Sequence, residues 1–223
     1  METMSSLQQQ EKTVTSIPVD TWIAGTWDEF LSLCDRPEYE KGRFYYHSGW
    51  MRIEMASLGF AHSRDNSIIS TVVILYAALN NLRLQELTNG SLRKTGVREA
   101  QPDISFYIGD DFNFLPRSNS PVDLDRFPPP NLVVEIGASS FWDDVGQKRL
   151  LYENLGIQEY WVANVAESRI IAFSVGNRGS FQIRTSQVLN QLEIDLVEEA
   201  LRRSQTEDDG AIARWLMSQF SES

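Results

Sequence analysis

Apolar residues recur at intervals of three and four positions in several parts of the chain, a spacing that predicts helices. The longest such stretch runs from His62 to about Leu82 and has a β-branched centre, so we expect an amphipathic helix with a buried face. A shorter helix is expected after Thr26, whose residue type caps helix N-termini. The segment WDDVGQKRLLYENLG predicts a helix that stops at Gly156, and the tail, LEIDLVEEALRRSQ and DDGAIARWLMSQF, predicts one or two surface helices.

Runs of β-branched and aromatic residues between these segments predict β-strands. GRFYYHSG and WMRIEMAS predict a hairpin around Ser48 and Gly49, and residues 85–95 and 101–108 predict two short strands. IQEYWVAN and SRIIAFSV predict two more, while NLVVEIGA has the composition of a central strand buried on both faces. The loop 109–130 is rich in Asp, Asn, Pro and Ser, so we expect it to lack regular structure and to border or cover a site.

These patterns divide the chain into three parts. Residues 1–18 are polar and aperiodic, which predicts a flexible arm; residues 19–190 are expected to form one domain, and residues 191–223 a helical extension. The 42% hydrophobic fraction of the 223-residue chain is enough to build a core without disulfides or a structural metal.

Cysteine usage and hydropathy limit the compartment. The single cysteine, Cys34, excludes an intramolecular disulfide and a Cys-rich zinc site, and it favours a reducing interior, so we expect a cytoplasmic location. The N-terminus lacks a basic segment followed by an apolar one, and no apolar run reaches about 18 residues. We therefore expect neither a signal peptide nor a membrane span.

The formal net charge of -11 bears on possible partners. It works against a nucleic-acid ligand, because phosphate contacts need Lys and Arg to displace counterions. Acidic residues are nevertheless the material of a divalent-metal site. The charge lowers the expectation of a nucleic-acid partner without removing it.

Glu135 is the residue that packing explains least. A carboxylate inside LVVEIGA faces a desolvation cost of several kcal/mol unless a cation or hydrogen-bond donors compensate it. Asp103 enters from another predicted strand after Pro102, and two carboxylates from neighbouring strands would make an oxygen-rich pocket for Mg²⁺. Lys148, on the next helix, could orient a water or steady a developing phosphate charge.

Each of these residues also has an ordinary structural explanation. A strand glutamate can lie at an edge, and a helix lysine is usually solvated. For Lys148 and Asp144 that explanation is an i,i+4 ion pair worth roughly 0.3 to 0.5 kcal/mol. The three residues together, in this order and context, favour the functional interpretation.

At these positions the sequence resembles a known family. The PD of Pro102 and Asp103, the apolar strand that carries Glu135 and a nearby basic residue are similar to the PD-(D/E)XK nuclease superfamily, which has the fold of type II restriction endonucleases. More narrowly, QPDISFYI, NLVVEIGASS, the stretch from Asp144 to Lys148, and GIQEYWVAN resemble the Uma-two family of restriction endonuclease-like domains, from about Trp27 to Phe181. The resemblance implies an α/β fold in which helices flank a central mixed β-sheet.

The resemblance also implies roles for individual residues. Asp103 and Glu135 match the metal-binding acids, and Lys148 matches a lysine that this family places on the helix. The superfamily's usual lysine, two residues after the glutamate, is replaced by Gly137, so activity would depend on Lys148 reaching back into the pocket. The implied cofactor is Mg²⁺, with Mn²⁺ as a substitute.

Two further residues match the family's upstream acidic strand and helix-starting histidine. Glu54 could add a third metal-site acid, and its alternative is a cross-strand pair with a basic neighbour. His62 could transfer a proton or contact phosphate, and its alternative is a helix-start residue that bonds to the backbone.

Two functions remain open at this point. The first is a Mg²⁺-dependent phosphodiester hydrolase acting on DNA; the second is a catalytically silent nuclease-like domain that serves as a binding or assembly module, favoured by the acidic surface. The resemblance to restriction-type nucleases also implies a homodimer. Arg93, Lys94 and Arg98 form a basic group that could contact phosphate or protect a strand edge. Three aromatic residues, Trp142, Tyr160 and Trp161, are expected in a core or interface rather than as base-stacking platforms.

Overall fold

A computed structural model describes residues 17–55, 59–137, 140–176 and 179–221. Strands in these residues form two six-stranded sheets, with orders β1-β3-β2-β6-β5-β8 and β12-β11-β10-β9-β7-β4. Each sheet contains one parallel pair, β5 with β8 and β9 with β10, and is otherwise antiparallel. The strands are β1 (Ile23–Ala24), β2 (Arg43–His47), β3 (Trp50–Glu54), β4 (Leu84–Thr88), β5 (Leu92–Lys94), β6 (Arg98–Ala100), β7 (Ile104–Ile108), β8 (Val122–Asp123), β9 (Leu132–Gly137), β10 (Glu159–Asn164), β11 (Arg169–Gly176) and β12 (Gly179–Ile183).

Helices lie between and after these strands, and the expected α/β fold with mixed sheets and flanking helices is confirmed. A 3-10 turn (Pro37–Tyr39) precedes β2, and a π-helical turn (Asp144–Lys148) joins two of the helices. The helices are α1 (Trp27–Cys34), α2 (Phe60–Leu79), α3 (Phe141–Asp143), α4 (Arg149–Leu155), α5 (Ile194–Arg203) and α6 (Asp209–Ser221). None of the helices within the described ranges has the length and apolar character needed to cross a membrane.

Local signals explain where several elements begin and turn. Thr26 and Glu29 form a capping box at the start of α1, as the Thr26 side chain accepts from the Glu29 amide and the Glu29 carboxylate accepts from the Thr26 amide. The hairpin of β2 and β3 turns at Ser48 and Gly49, whose φ angles of 51° and 83° give the left-handed two-residue turn that suits twisted strands. Both predictions are confirmed.

Three predictions about strands need correction. Residues 85–95 are not one strand, because the chain leaves the second sheet at Asn89 and enters the first as β5. Asp103 lies just before β7 rather than at its first position. The loop 109–130 contains the short strand β8, which finds a parallel partner in β5, and β12 was not predicted because GSFQI carries little apolar alternation.

Strand β9 is the centre of the second sheet, as predicted. All of its residues are buried, and it pairs antiparallel with β7 and parallel with β10. Its odd and even residues face opposite layers. Val134 and Ile136 join one apolar core with α2, α5 and α6, whereas Val133 joins a second core with Tyr45 of the first sheet and Leu151 of α4.

The helices of the predicted C-terminal extension pack closely on the domain. Both α5 and α6 contact α2, and their buried residues belong to the same core as α2. In that core Phe220 makes an edge contact with Tyr76, with ring centroids 4.9 Å apart. The predicted arm, residues 1–18, lies outside the described residues except for its last two positions.

One prediction concerns a carboxylate on α2. Asp65 is buried and its Oδ2 atom has no hydrogen-bond partner, and burial raises the pKa of Asp65 to about 6. The unfolded chain ionises near pH 3.8. Below about pH 4 Asp65 is protonated in both the folded and the unfolded protein, so its burial does not lower the free energy of unfolding. Above about pH 6 it is ionised in both, and the buried charge destabilises the folded protein fully.

We expect Asp65→Asn to raise the free energy of unfolding at pH 7.5 by roughly 1 to 3 kcal/mol, after allowance for solvent screening, and to change it little at pH 4. Thermal unfolding of both proteins at the two pH values measures this. An equal difference at pH 4 and pH 7.5 would show that the ionisation of Asp65 is not the cause.

Candidate active site

A buried cluster of charged side chains lies between the two sheets, where β9 faces the hairpin of β2 and β3. Glu135 is at its centre and is 1% exposed. Its Oε1 atom accepts a 2.6 Å hydrogen bond from the Tyr152 hydroxyl and lies 3.6 Å from Lys148 Nζ. Burial raises the pKa of Glu135 well above its ordinary value, and the charges of Asp103 and Asp144 add to this while Lys148 opposes it.

Asp103 reaches the same cluster from the start of β7. Its Oδ2 atom accepts a 2.8 Å hydrogen bond from the Ile136 amide, which ties it to the strand that carries Glu135. Its Oδ1 atom contacts Arg43 and lies 3.2 Å from His62 Nε2. Although burial opposes ionisation, the His62 contact and the Arg43 charge hold the pKa of Asp103 below its ordinary value. Asp103 is therefore an anion in this site.

Lys148 enters from the π-helical turn and is fully buried, so it is not the solvated lysine of the ordinary explanation. Its Nζ atom lies 2.8 Å from Asp144, as an i,i+4 pair would, and also 2.9 Å from Glu54. It lies over the Tyr45 ring, 4.3 Å from the centroid. Burial favours the neutral amine, but the surrounding carboxylates, Glu135 first, raise the pKa of Lys148 well above its ordinary value and keep it charged.

Glu54 ends β3 and is held by cations on three sides. Besides Lys148, it contacts Arg43 Nη2 at 3.0 Å and Arg52 Nε at 2.9 Å. Arg52 in turn reaches Asp143 at 3.0 Å. Burial would raise the pKa of Glu54, but Lys148 and Arg43 outweigh it and lower that pKa. Glu54 thus has both the predicted basic neighbour and a place in the cluster.

His62 bridges two parts of the site instead of only capping its helix. Its Nδ1 atom lies 3.0 Å from the Ile136 carbonyl oxygen and its Nε2 atom 3.2 Å from Asp103. The contact between Nε2 and Asp103 is an ion-pair distance, and Nε2 makes no hydrogen bond to the described residues. The structure therefore brings all five predicted site residues together: Glu54, His62, Asp103, Glu135 and Lys148.

Sequence reasoning missed Arg43 and the phenol of Tyr45. Both lie on one face of β2, as their spacing of two requires. Tyr45 donates to the Gln101 carbonyl at 2.8 Å and its oxygen lies 3.4 Å from Glu135. A signal for Arg43 was present, because a hairpin turning at Ser48 and Gly49 pairs position 43 with Glu54.

The other candidates lie away from this cluster. Arg93 pairs with Glu99, and Arg98 donates to Asn154. Of the three aromatics, Tyr160 and Trp161 are fully buried core residues, whereas Trp142 is 80% exposed. Arg93 and Arg98 lie in inner strands of the first sheet, so the expectation that they protect a strand edge is wrong, whereas core packing accounts for two of the aromatics.

The carboxylate oxygens suit a hard divalent cation. Asp103 Oδ1 and Glu135 Oε2 both approach the same nitrogen, Arg43 Nη1. The two carboxylates therefore converge on a position that a cationic group occupies. Two carboxylates completed by water are a common protein contribution to a Mg²⁺ site. No group of three or more His, Cys, Asp or Glu side chains within the described ranges is arranged to hold a metal. The residues present thus fit a two-carboxylate site.

The absence of the superfamily's lysine has a steric cause. A Cβ atom on Gly137 would lie 2.9 Å from Phe141 Cα and 2.6 Å from Asp144 Oδ2. The backbone that follows β9 thus fills the place of a side chain at position 137. The same close approach brings the π-helical turn, and with it Lys148, over Glu135.

The fold and the chain's relatives agree on the class of protein. The architecture is a restriction endonuclease-like α/β fold. A family model described as "Putative restriction endonuclease" matches residues 27–209, and the chain belongs to this family, Uma2. No curated protein matches. Among solved structures, the chain is similar to a "putative nuclease belonging to DUF820" from Anabaena variabilis, with 19% identity, a TM-score of 0.54, and coverage of 79% of this chain and 98% of that one.

The close approach at Gly137 gives a testable prediction. We expect Gly137→Ala to lower the free energy of unfolding by about 1 to 3 kcal/mol, the usual cost of overpacking a buried site. Gly146→Ala is the matched control, because it lies in the π-helical turn and a Cβ there meets nothing within 4 Å. Urea unfolding of both variants measures the difference. Equal stabilities would mean that position 137 tolerates a side chain.

Proposed function

We propose that this protein is a divalent-metal-dependent hydrolase of phosphodiester bonds in DNA. The observation that carries the proposal is the convergence of Asp103, Glu135 and Lys148, from the start of β7, from β9 and from the π-helical turn, within one buried cluster. Family membership supports a nuclease-type activity. Side chains from three separate elements would not need to meet for packing alone, because each charge brought there has to be compensated.

In this proposal Asp103 and Glu135 hold Mg²⁺, or Mn²⁺ in its place, and Glu54 assists from β3. A bound divalent ion supplies a water of lowered pKa and neutralises charge that develops on the phosphate. The chain's own residues fix the ligands. The Ile136 amide orients Asp103, and the Tyr152 hydroxyl, with Lys148, orients Glu135.

Lys148 contributes a fixed positive charge. Its ammonium has three donors, and the carboxylates of Glu54 and Asp144 hold it in place at 2.9 and 2.8 Å. The Nζ atom also donates a 3.3 Å hydrogen bond to the Tyr45 hydroxyl and lies 3.6 Å from Glu135 Oε1. A preorganised cation of this kind stabilises negative charge in the transition state without reorganisation. His62, which contacts Asp103, is the candidate for phosphate contact or proton transfer.

Access to the cluster is through a cavity of about 240 Å³ beside β2 and β3. Its lining includes Arg43 and Glu54 from the cluster, and Lys41 and Gln101 at the rim. The lining also includes Glu40, so Lys41 offers phosphate one basic contact beside an acidic residue, in a protein whose net charge is unfavourable for DNA. A homodimer, which would supply a second cutting site, belongs to the same proposal.

The second candidate is a catalytically silent binding or assembly module. One observation favours it: Arg43, Arg52 and Lys148 already contact the carboxylates of the cluster, which are almost completely buried. Such a cluster is compensated without a metal. The experiment that separates the two candidates therefore has to follow both metal binding and cleavage.

We expect the wild-type protein to bind Mn²⁺ and Mg²⁺ in isothermal titration and to nick supercoiled plasmid when either metal is present. Asp103→Asn, Glu135→Gln and Lys148→Met should each reduce nicking at least 100-fold, which corresponds to about 2.7 kcal/mol of transition-state stabilisation. Asp103→Asn and Glu135→Gln should also weaken metal binding.

The matched control is Glu159→Gln, since Glu159 is a second fully buried strand carboxylate that binds Trp161 Nε1 and the Gln187 amide, outside the cluster. Its metal binding and nicking should stay at the wild-type level. A wild type that binds neither metal at millimolar concentration and leaves plasmid intact would exclude catalysis and favour the binding module.

A further inference from the structure

Arg43 contacts the two carboxylates that would hold the metal, those of Asp103 and Glu135, and also Glu54, which assists from β3. Its Nη1 atom contacts Asp103 Oδ1 and lies 3.9 Å from Glu135 Oε2, and its Nη2 atom lies 3.0 Å from Glu54 Oε2. Lys148 contacts Glu54 and Glu135, but within the described residues it forms no ion pair with Asp103. The guanidinium therefore lies at the point where the carboxylates of β3, β7 and β9 converge.

Arg43 also lies on the approach from solvent. Its side chain is 14% exposed, whereas the three carboxylate side chains it contacts are 1 to 2% exposed. It lines the 240 Å³ cavity beside β2 and β3, together with Lys41, Gly42 and Gln101. Arg43 and Glu54 line this cavity whereas Asp103 and Glu135 do not, so a cation that enters from it meets Arg43 and Glu54 before it reaches the two more deeply buried carboxylates.

We propose that Arg43 is a resident cation that a divalent metal must displace, and that it thereby sets the metal concentration at which the site loads. This inference rests on the proposed function and adds a regulatory residue to the same site. Without metal, Arg43 compensates the carboxylates and keeps the cluster folded. With metal, the carboxylate oxygens transfer to the divalent ion and the guanidinium moves into the cavity.

Electrostatics favour an exchange rather than simultaneous binding. A guanidinium and a divalent ion within contact distance of the same two oxygens repel each other, and the repulsion is poorly screened where water is excluded. Four buried carboxyl groups, those of Glu54, Asp103, Glu135 and Asp144, share three arginine and lysine cations, and burial raises the pKa of Glu135 and of Asp144. A divalent ion held by Asp103 and Glu135 would therefore replace Arg43 rather than bind beside it.

Removal of Arg43 should strengthen metal binding, whereas removal of a residue that supports metal ligands would weaken it. If Arg43 competes with the metal, Arg43→Ala binds Mn²⁺ at least tenfold more tightly than the wild type does in isothermal titration. It also shows a larger rise in Tm on addition of Mn²⁺, because the metal then compensates carboxylates that the variant leaves bare. Arg43→Lys keeps one charge but cannot span the carboxylates, and its affinity should fall between the two.

Arg93→Ala is the matched control. Arg93 is also a partly buried strand arginine paired with a glutamate, Glu99, but it contacts none of the cluster carboxylates among the described ion pairs. Its Mn²⁺ affinity should equal that of the wild type. If Arg43→Ala is not folded without metal, Arg43→Lys and the Mn²⁺-dependent recovery of its Tm carry the test.

A direct readout follows the arginine itself. In NMR spectra of protein with isotope-labelled arginine, the guanidinium signals that are absent from Arg43→Lys identify Arg43. Addition of Mg²⁺ should move these signals to the chemical shifts and fast solvent exchange of an arginine that has no ion-pair partner. Metal binding by the wild type that leaves these signals unchanged, or equal Mn²⁺ affinity of Arg43→Ala and the wild type, overturns the role of Arg43 and leaves the proposed hydrolase standing. If no variant binds metal, the metal-dependent function fails and the displacement fails with it.

Discussion

The burial of a carboxylate in the central strand is the constraint from which the site follows. Glu135 lies inside β9, where an uncompensated charge would cost several kcal/mol. Lys148 approaches it at 3.6 Å from a π-helical turn whose first residue, Asp144, packs against Gly137. Such turns are rare and occur often at functional sites. One buried charge thus accounts for a glycine, an unusual turn and a buried lysine.

The same constraint joins the two sheets. Arg43 and Glu54 come from the hairpin of the first sheet, and Asp103 and Glu135 come from the second. Apolar packing of Tyr45 against β9 and α4 surrounds them, so the ion pairs lie in a dry environment where they are strong and where loss of one partner is costly. Because the cluster is buried, the overall charge of -11 says little about the field inside it.

Much of this could be predicted from the sequence, for identifiable reasons. Periodicity placed α2, the hairpin and the buried strand β9, since each has a strong local pattern, and the charge of Glu135 within an apolar run pointed to the site. The rest of the first sheet could not be predicted, because β5, β6 and β8 have three residues or fewer and pair with strands whose register no local pattern gives. Lys148 was placed on a helix correctly, but its full burial depends on the approach at Gly137, which no local pattern encodes.

Arg43 shows the limit most clearly. Its pairing with Glu54 follows from the hairpin register, but its contact with Asp103 requires the hairpin to face β7, and that is a property of the tertiary fold. The roles assigned to the five site residues remain predictions, since geometry shows which side chains meet and chemistry has to show what they do.

The central claim is that the carboxylates of Asp103 and Glu135 form a divalent-metal site that Arg43 occupies in the absence of metal. Anomalous diffraction from crystals grown with and without millimolar Mn²⁺ tests it most directly. We expect an anomalous peak beside the carboxylates of Asp103 and Glu135, with the Arg43 guanidinium displaced towards the neighbouring cavity. Crystals with Mn²⁺ in which Arg43 still bridges Asp103 and Glu54, and in which no peak lies at these oxygens, would contradict it.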